Sequence, residues 1–199
     1  MKKLKTKVLL WLMSTRVYRF LLKYVIPEIT IFHGPGPSYF FKERLRRDMR
    51  PGDVLLSKSA FHLTNLLIGG RFSHGAMVVD QDAIAEMKAN DFDVVSVNDF
   101  CKGATRVALL RIKPTDDYYG AQMAARARTF EDREYDTSFE LGVSALYCSE
   151  LPMQADFEGR MQCDLSDLVG MGRPYISPEG LYSAQGLEVV MEWEAKVWK

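Results

Sequence analysis

The chain has 199 residues, of which 47% are hydrophobic, 26% charged and 12% aromatic, the proportions of a globular protein and not of a disordered one. Its formal net charge is zero, yet residues 1–30 carry seven basic residues against one acid, Glu28, which leaves 19 basic and 25 acidic residues elsewhere. Three cysteines, Cys101, Cys148 and Cys163, with no CxxC pair, exclude a disulfide scaffold and a thiolate zinc site, and no metal or cofactor is expected.

The length suits one domain with an appendage. We divide it into a basic arm and linker over residues 1–37 and a folded domain over residues 38–199. Within residues 4–26 the longest uncharged run is Val8 to Thr15, far short of the roughly 20 apolar residues of a transmembrane helix. No small-x-small cleavage site follows it, so it does not read as a signal peptide. Leu10, Met13, Val17, Phe20, Leu21 and Tyr24 advance in steps of three and four, while Arg16, Arg19 and Lys23 gather on another face. This spacing predicts an amphipathic helix with a basic side, ending at Pro27. Such a helix suits an anionic membrane surface, giving peripheral membrane association, and it equally suits docking on the body or on a partner. Its apolar content argues against nucleic acid. Gly34-Pro35-Gly36-Pro37 reads as a hinge or linker.

A short helix is expected over 39–49, then a turn at Arg50-Pro51-Gly52-Asp53 and a buried strand at Val54-Leu55-Leu56. A further short helix over 60–68 stops at Gly69-Gly70. His74 opens a strand running to Val79, and a second strand covers Ala83 to Met87. Their register decides a chemical question. With a three-residue loop Ala76 pairs with Glu86, and His74 shares a sheet face with Glu86 as a diagonal neighbour. With a two-residue loop, Gln81-Asp82, Glu86 points to the other face. Asp80-Gln81-Asp82 lacks the Asn-Gly or Asp-Gly pair that two-residue loops favour, so the three-residue loop is expected. A lone histidine is more often structural than catalytic, but a histidine paired with a carboxylate is a general base with its orienting group. His33 and His62 have no such company and read as linker and helix surface.

An alternating strand follows at Asp93–Val97, a helix cap at Asn98–Phe100, and a strand from Arg106 to Ile112. Cys101 beside that cap reads as an incidental thiol. An Ala-rich helix is expected over 116–131. After Arg133–Phe139 and the apolar run to Leu146 comes Tyr147-Cys148-Ser149-Glu150-Leu151. Ser149 and Glu150 suit a first helical turn, where their oxygens complement free N–H groups. A cysteine there has its thiolate favoured by the dipole. Alone, Cys148 reads rather as a buried structural thiol, as free cysteines commonly are. Pro152 is tolerable only near the first turn. A short helix is expected over 165–169, a capped helical turn at Ser177–Tyr182 and a terminal strand from Leu187 to Trp193.

Five segments occur in a telling order: Gly52-Asp53-Val54-Leu55, Phe72-Ser73-His74-Gly75, Ala83-Ile84-Ala85-Glu86, Tyr135-Asp136 with Phe139, and Tyr147-Cys148-Ser149-Glu150-Leu151. This order resembles the circularly permuted papain-like branch of the NlpC-type cysteine peptidase superfamily, and within it the bacterial YiiX-like group. Lecithin:retinol acyltransferase is a more distant cousin. The resemblance covers roughly residues 50–190, and the histidine precedes the cysteine, as in the permuted layout. It implies an α+β fold with a small antiparallel, barrel-like sheet flanked by helices. It also implies Cys148 as nucleophile, His74 as general base and Glu86 as the residue that orients His74. The Cys148 N–H would contribute to an oxyanion hole, and Tyr135 and Asp136 would support the pocket. The expected activity is that of a cysteine hydrolase or amidase, resembling a thiol peptidase, on peptide or cell-wall amides. The apolar, basic arm motivates a second reading, a lipid-directed acyltransferase or phospholipase. A non-catalytic binding module with the same fold is the third.

Overall fold

The computed structural model describes residues 34–59, 68, 70–88, 91–167 and 174–196. The amphipathic arm helix, His33, His62 and almost all of the helix expected over 60–68 lie outside the described residues. Gly34 and Gly36 donate backbone hydrogen bonds to the carbonyls of Gly103 and Ala104, each at 3.1 Å. A Cβ on Gly34 would stand 2.7 Å from the Gly103 oxygen. The expected hinge is therefore laid against the body, and its glycines permit the close approach.

Helix α1 (Tyr39–Asp48) starts at Ser38, whose Oγ accepts from Phe41 N at 3.3 Å. It buries Leu45 and, just past its end, Met49. Strands β1 (Val54–Ser59), β2 (His74–Asp80), β3 (Ala83–Lys88) and β4 (Asp91–Val95) follow. Helix α2 (Val97–Phe100), strand β5 (Ala104–Ile112) and helix α3 (Asp117–Arg128) come next. Two-residue strands β6 (Glu134–Tyr135) and β7 (Ala145–Leu146) pair in parallel and precede helix α4 (Glu150–Ala155). Strands β8 (Ser166–Asp167) and β9 (Pro174–Tyr175), helix α5 (Pro178–Tyr182) and strand β10 (Leu187–Glu194) complete the order. Two segments differ from expectation in kind. Ser96 is the N-cap of α2 and Val97 its first residue, so neither belongs to the strand expected to reach Val97. Ser166 and Asp167 pair with β9 instead of opening a helix.

The main sheet has the order β10-β5-β1-β2-β3-β4 and is antiparallel throughout. It is open, so the barrel-like expectation reduces to a twisted sheet without closure. Both faces are buried. Val54, Leu56, Met77, Met87 and Leu110 pack with Tyr119 and Met123 of α3, Leu151 of α4 and Leu181 of α5. Leu55, Ala76, Val78, Ile84 and Leu109 pack with Leu45, Val97 and Phe100 from α1 and α2. Burial on two faces explains why the central strands read as continuous apolar runs rather than alternating ones.

The β2–β3 turn resolves the register question in an unexpected way. The connection is the two-residue one, Gln81-Asp82, with Asp82 at φ +55°. Aspartate tolerates the left-handed region better than most residues. Here its Oδ1 also accepts from Val97 N at 2.9 Å and meets Arg46 Nε at 3.1 Å. The ladder then slips between Val78 and Asp80, leaving Val79 as an extra residue, and Ala76 pairs with Glu86. A bulge restores the side-chain parity that the shorter loop alone would have reversed.

Candidate functional site

That parity puts His74 and Glu86 on one sheet face. His74 Nε2 lies 2.6 Å from Glu86 Oε2. The glutamate side chain is only 3% exposed, whereas His74 keeps 25% of its surface at the solvent rim. Cys148 is the imidazole's other partner, close enough for the two groups to shift each other's protonation. With Nε2 committed to Glu86, Nδ1 is the nitrogen left for the sulfur.

Cys148 is set by contacts on both of its neighbours. The Tyr147 hydroxyl accepts from Ile176 N at 2.8 Å, and Ser149 Oγ donates to Ile176 O at 2.6 Å. The backbone of one residue outside the helix, Ile176, therefore holds the residues before and after the cysteine. Ser149 is not the side-chain cap expected of it, because its hydroxyl is spent on Ile176. Glu150 also departs from expectation. It is fully buried, accepts from Gly142 N at 2.8 Å, and burial pushes its carboxyl up to about 7. Pro152 stands third in α4, within the first turn, where no intrahelical N–H bond is lost.

Gly75 makes the approach of this turn to β2 feasible. A Cβ there would meet Ser149 Cα at 3.2 Å and the Cys148 carbonyl oxygen at 3.5 Å. Asp136 shapes the neighbouring loop by accepting from Ser138 N at 2.8 Å, Ser138 Oγ at 2.7 Å and Glu140 N at 2.6 Å. Phe139 packs on Tyr147 at 5.2 Å and on Tyr175 at 6.0 Å between ring centroids.

The electrostatics follow from burial opposed by partners. Burial alone would drive the His74 imidazole toward neutrality, but the hydrogen bonds and charges of Cys148 and Glu86 reverse this and raise it to about 10. Burial would push the Cys148 thiol up. The His74 hydrogen bond and charge, with the Gly75 and Ser149 N–H groups, bring it below the ordinary thiol value instead. Burial likewise opposes ionisation of Glu86, and His74 and Lys88 overcome it, so its carboxyl lies below its ordinary value. The favoured state is a thiolate–imidazolium pair beside a carboxylate, which can attack an electrophilic carbon and deliver a proton to a leaving group. Helix α4 has six residues, so its dipole adds little beside these contacts.

The other cysteines lack these partners. Burial raises Cys101 to about 12 and also raises Cys163. All three thiols are free. Among the described residues no group of three or more His, Cys, Asp or Glu side chains is arranged to hold a metal ion. Sequence reasoning named His74, Glu86 and Cys148, which the structure brings together. It gave Gly75 no role of its own and missed the Ile176 backbone and Lys88, whose Nζ is 2.5 Å from Glu86 Oε1. Strand parity was the available signal for Lys88, two residues beyond Glu86 on the same face.

Residues 48–191 match the family described as permuted papain-like amidase enzyme, YaeF/YiiX, C92 family. Among solved structures, the chain is similar to the crystal structure of the metalloprotein yiiX from Escherichia coli O157:H7. The identity is 16% and the TM-score 0.58, over 73% of this chain and 98% of that one. At that identity the likeness is one of fold. None of the curated proteins matches the chain.

Proposed function

The chain belongs to the permuted papain-like amidase family of the YaeF/YiiX type, and from that premise we propose that it is a cysteine amidase using Cys148, His74 and Glu86. The observation that carries this reading is the His74 imidazole bonded to Glu86 Oε2 at 2.6 Å and electrostatically coupled to Cys148.

The Cys148 thiolate attacks the amide carbonyl carbon, an S–C bond forms and the carbonyl oxygen takes the charge. The Cys148 backbone N–H contributes to stabilising that oxyanion. On collapse the C–N bond breaks, and the His74 imidazolium gives its proton to the departing amine. Neutral His74 then takes a proton from water as the hydroxide adds to the thioester. The C–S bond breaks, releasing the carboxylic acid and restoring the pair. Glu86 holds the ring and balances its charge throughout. Peptide or cell-wall amides are the proposed substrates.

The test is mass spectrometry of the purified protein after incubation with cell-wall and membrane extracts. An acyl adduct on Cys148, absent in Cys148→Ala, supports the proposal. Full amide-cleaving activity in Cys148→Ala sinks it; a wild type that forms no adduct and cleaves no amide also sinks it, and leaves the fold as a binding module.

A second reading, acyl transfer or hydrolysis at a lipid surface, is favoured by one observation. Tyr39 and Phe40 are 68% and 82% exposed at the start of α1. They directly follow the chain's basic arm, with Arg44 and Arg47 exposed on the same helix. Aromatic rings beside cationic side chains suit an anionic bilayer interface. No helix among the described residues is long and apolar enough to cross a membrane. Co-sedimentation with anionic vesicles should fall sharply when residues 1–33 are removed and Phe40→Ser is introduced; equal binding by both forms eliminates this reading.

A further inference from the structure

The chemistry proposed above engages only one oxygen of Glu86. The second, Oε1, is buried and has no aligned hydrogen bond. What stands beside it is the Lys88 ammonium, 2.5 Å away, as a charge contact. Lys88 comes from the same strand, two residues on, and therefore projects from the same face. Across the ladder Asp93 is the Cα partner of Glu86, and its Oδ2 lies 3.6 Å from Lys88 Nζ. The row is thus Cys148, His74, Glu86, Lys88, Asp93, with charge alternating from the thiolate onward. The ammonium is held on the solvent side of a carboxylate that is itself 3% exposed.

We propose that Lys88 is a positioning residue for the thiol chemistry: its ammonium holds Glu86 ionised and oriented, so that Oε2 stays on His74 and the thiolate–imidazolium pair survives into acid. The inference rests on the reading of Cys148 as the nucleophile. Its physical basis is the cost of a buried carboxylate. Desolvation favours the neutral acid, and an opposite charge within roughly 4–6 Å restores ionisation by about one to three pH units. Without Lys88, Glu86 would have His74 as its single cationic neighbour among the described residues and would protonate at higher pH. The imidazolium would then lose its counter-charge, and the thiolate would lose the imidazolium. The other groups around this row do not replace Lys88. Helix α2, which packs on β3, presents the Phe100 ring to His74 at 6.0 Å. Its Asp99 is bonded to Ser96 Oγ at 2.6 Å.

The pH dependence of iodoacetamide alkylation reads this without any substrate. In the full chain, the rate at Cys148 is followed by mass spectrometry, with Cys101 and Cys163 as internal references. Wild type should show a Cys148 acid limb well below that of an ordinary thiol. Lys88→Met and Lys88→Gln should move this limb up by about one pH unit or more, so that labelling below the limb slows about tenfold. Lys88→Arg, which keeps the cation, should restore the wild-type limb. An unmoved limb in Lys88→Met and Lys88→Gln overturns the inference and leaves the nucleophile reading standing. So does a lowered unfolding midpoint with an unmoved limb, the result of a merely structural ion pair. A wild-type Cys148 that labels no faster than Cys163 overturns both.

Discussion

Cys148 and Cys101 are both 2% exposed, and the difference between them is one of partners. Cys101 has distant lysine and arginine charges and is left with the cost of burial, which raises it to about 12. Cys148 has His74 and two backbone N–H groups, and is lowered. A pH profile follows with a definite sign. His74 is raised from 6.5 to about 10, so its proton is present below that value and lost above it. Cys148 is lowered, so its thiolate is present above its own value and lost as pH falls through it. Amide cleavage, which needs the imidazolium as acid, should therefore hold a plateau and decline as pH rises through about 10. Alkylation, which needs only the thiolate, should not decline there. A decline near the ordinary histidine value, measured as kcat/KM against pH, would contradict the pairing. Glu86→Gln keeps the shape and removes the charge. It should slow cleavage by about 10²- to 10⁴-fold, the range assigned to positioned acid–base groups, with the fold intact by circular dichroism.

At the scale of elements, the site depends on two turns that the sequence leaves open. The β2–β3 connection has two residues, yet a bulge at Val79 gives Glu86 the face expected from a three-residue loop. Loop length and register are separable because a single inserted residue changes parity by one. The turn into α4 depends on Gly75 and on the Ile176 backbone. Gly75→Ala places a methyl carbon 3.2 Å from Ser149 Cα, and the cysteine must move by a fraction of an ångström. Alkylation of Cys148 should slow on the order of tenfold, with a smaller change in Cys163 labelling. Ser149→Ala leaves the Ile176 carbonyl without its 2.6 Å donor. It should cost about 1–3 kcal/mol in urea denaturation.

For the whole molecule, the sheet fastens the site to a distant ion pair. Arg111 of β5 donates to both Asp53 oxygens, at 2.8 and 2.7 Å, and to the Asp48 carbonyl at 2.7 Å. It thereby locks the end of α1 and the start of β1 onto β5. The Asp53 side chain is 3% exposed, so Asp53→Ala strands a largely buried guanidinium and should cost about 3–5 kcal/mol. Chemical denaturation checks this; a loss under about 1 kcal/mol would mean that solvent screens the pair.

Hydrophobic periodicity and motif order determine much from the sequence alone. The strands Val54–Ser59, His74–Asp80 and Leu187–Glu194, the helix Asp117–Arg128 and the capped turn at Ser177 are all legible there, because each is local. The α+β class and the candidate trio His74, Glu86 and Cys148 come from the family resemblance that the order of short segments carries. The tertiary structure alone decides what depends on packing between distant segments. That Ser149 bonds Ile176 and not its own helix, that Glu150 turns inward to Gly142, and that Gly34 and Gly36 lie on Gly103 and Ala104 are each settled by a partner elsewhere in the chain. The same holds for Ser166 and Asp167, which pair as a strand because Pro174 and Tyr175 are beside them. A hydroxyl or carboxylate near a helix start meets the local rule only when no buried backbone group from another element competes for it, and here such groups do.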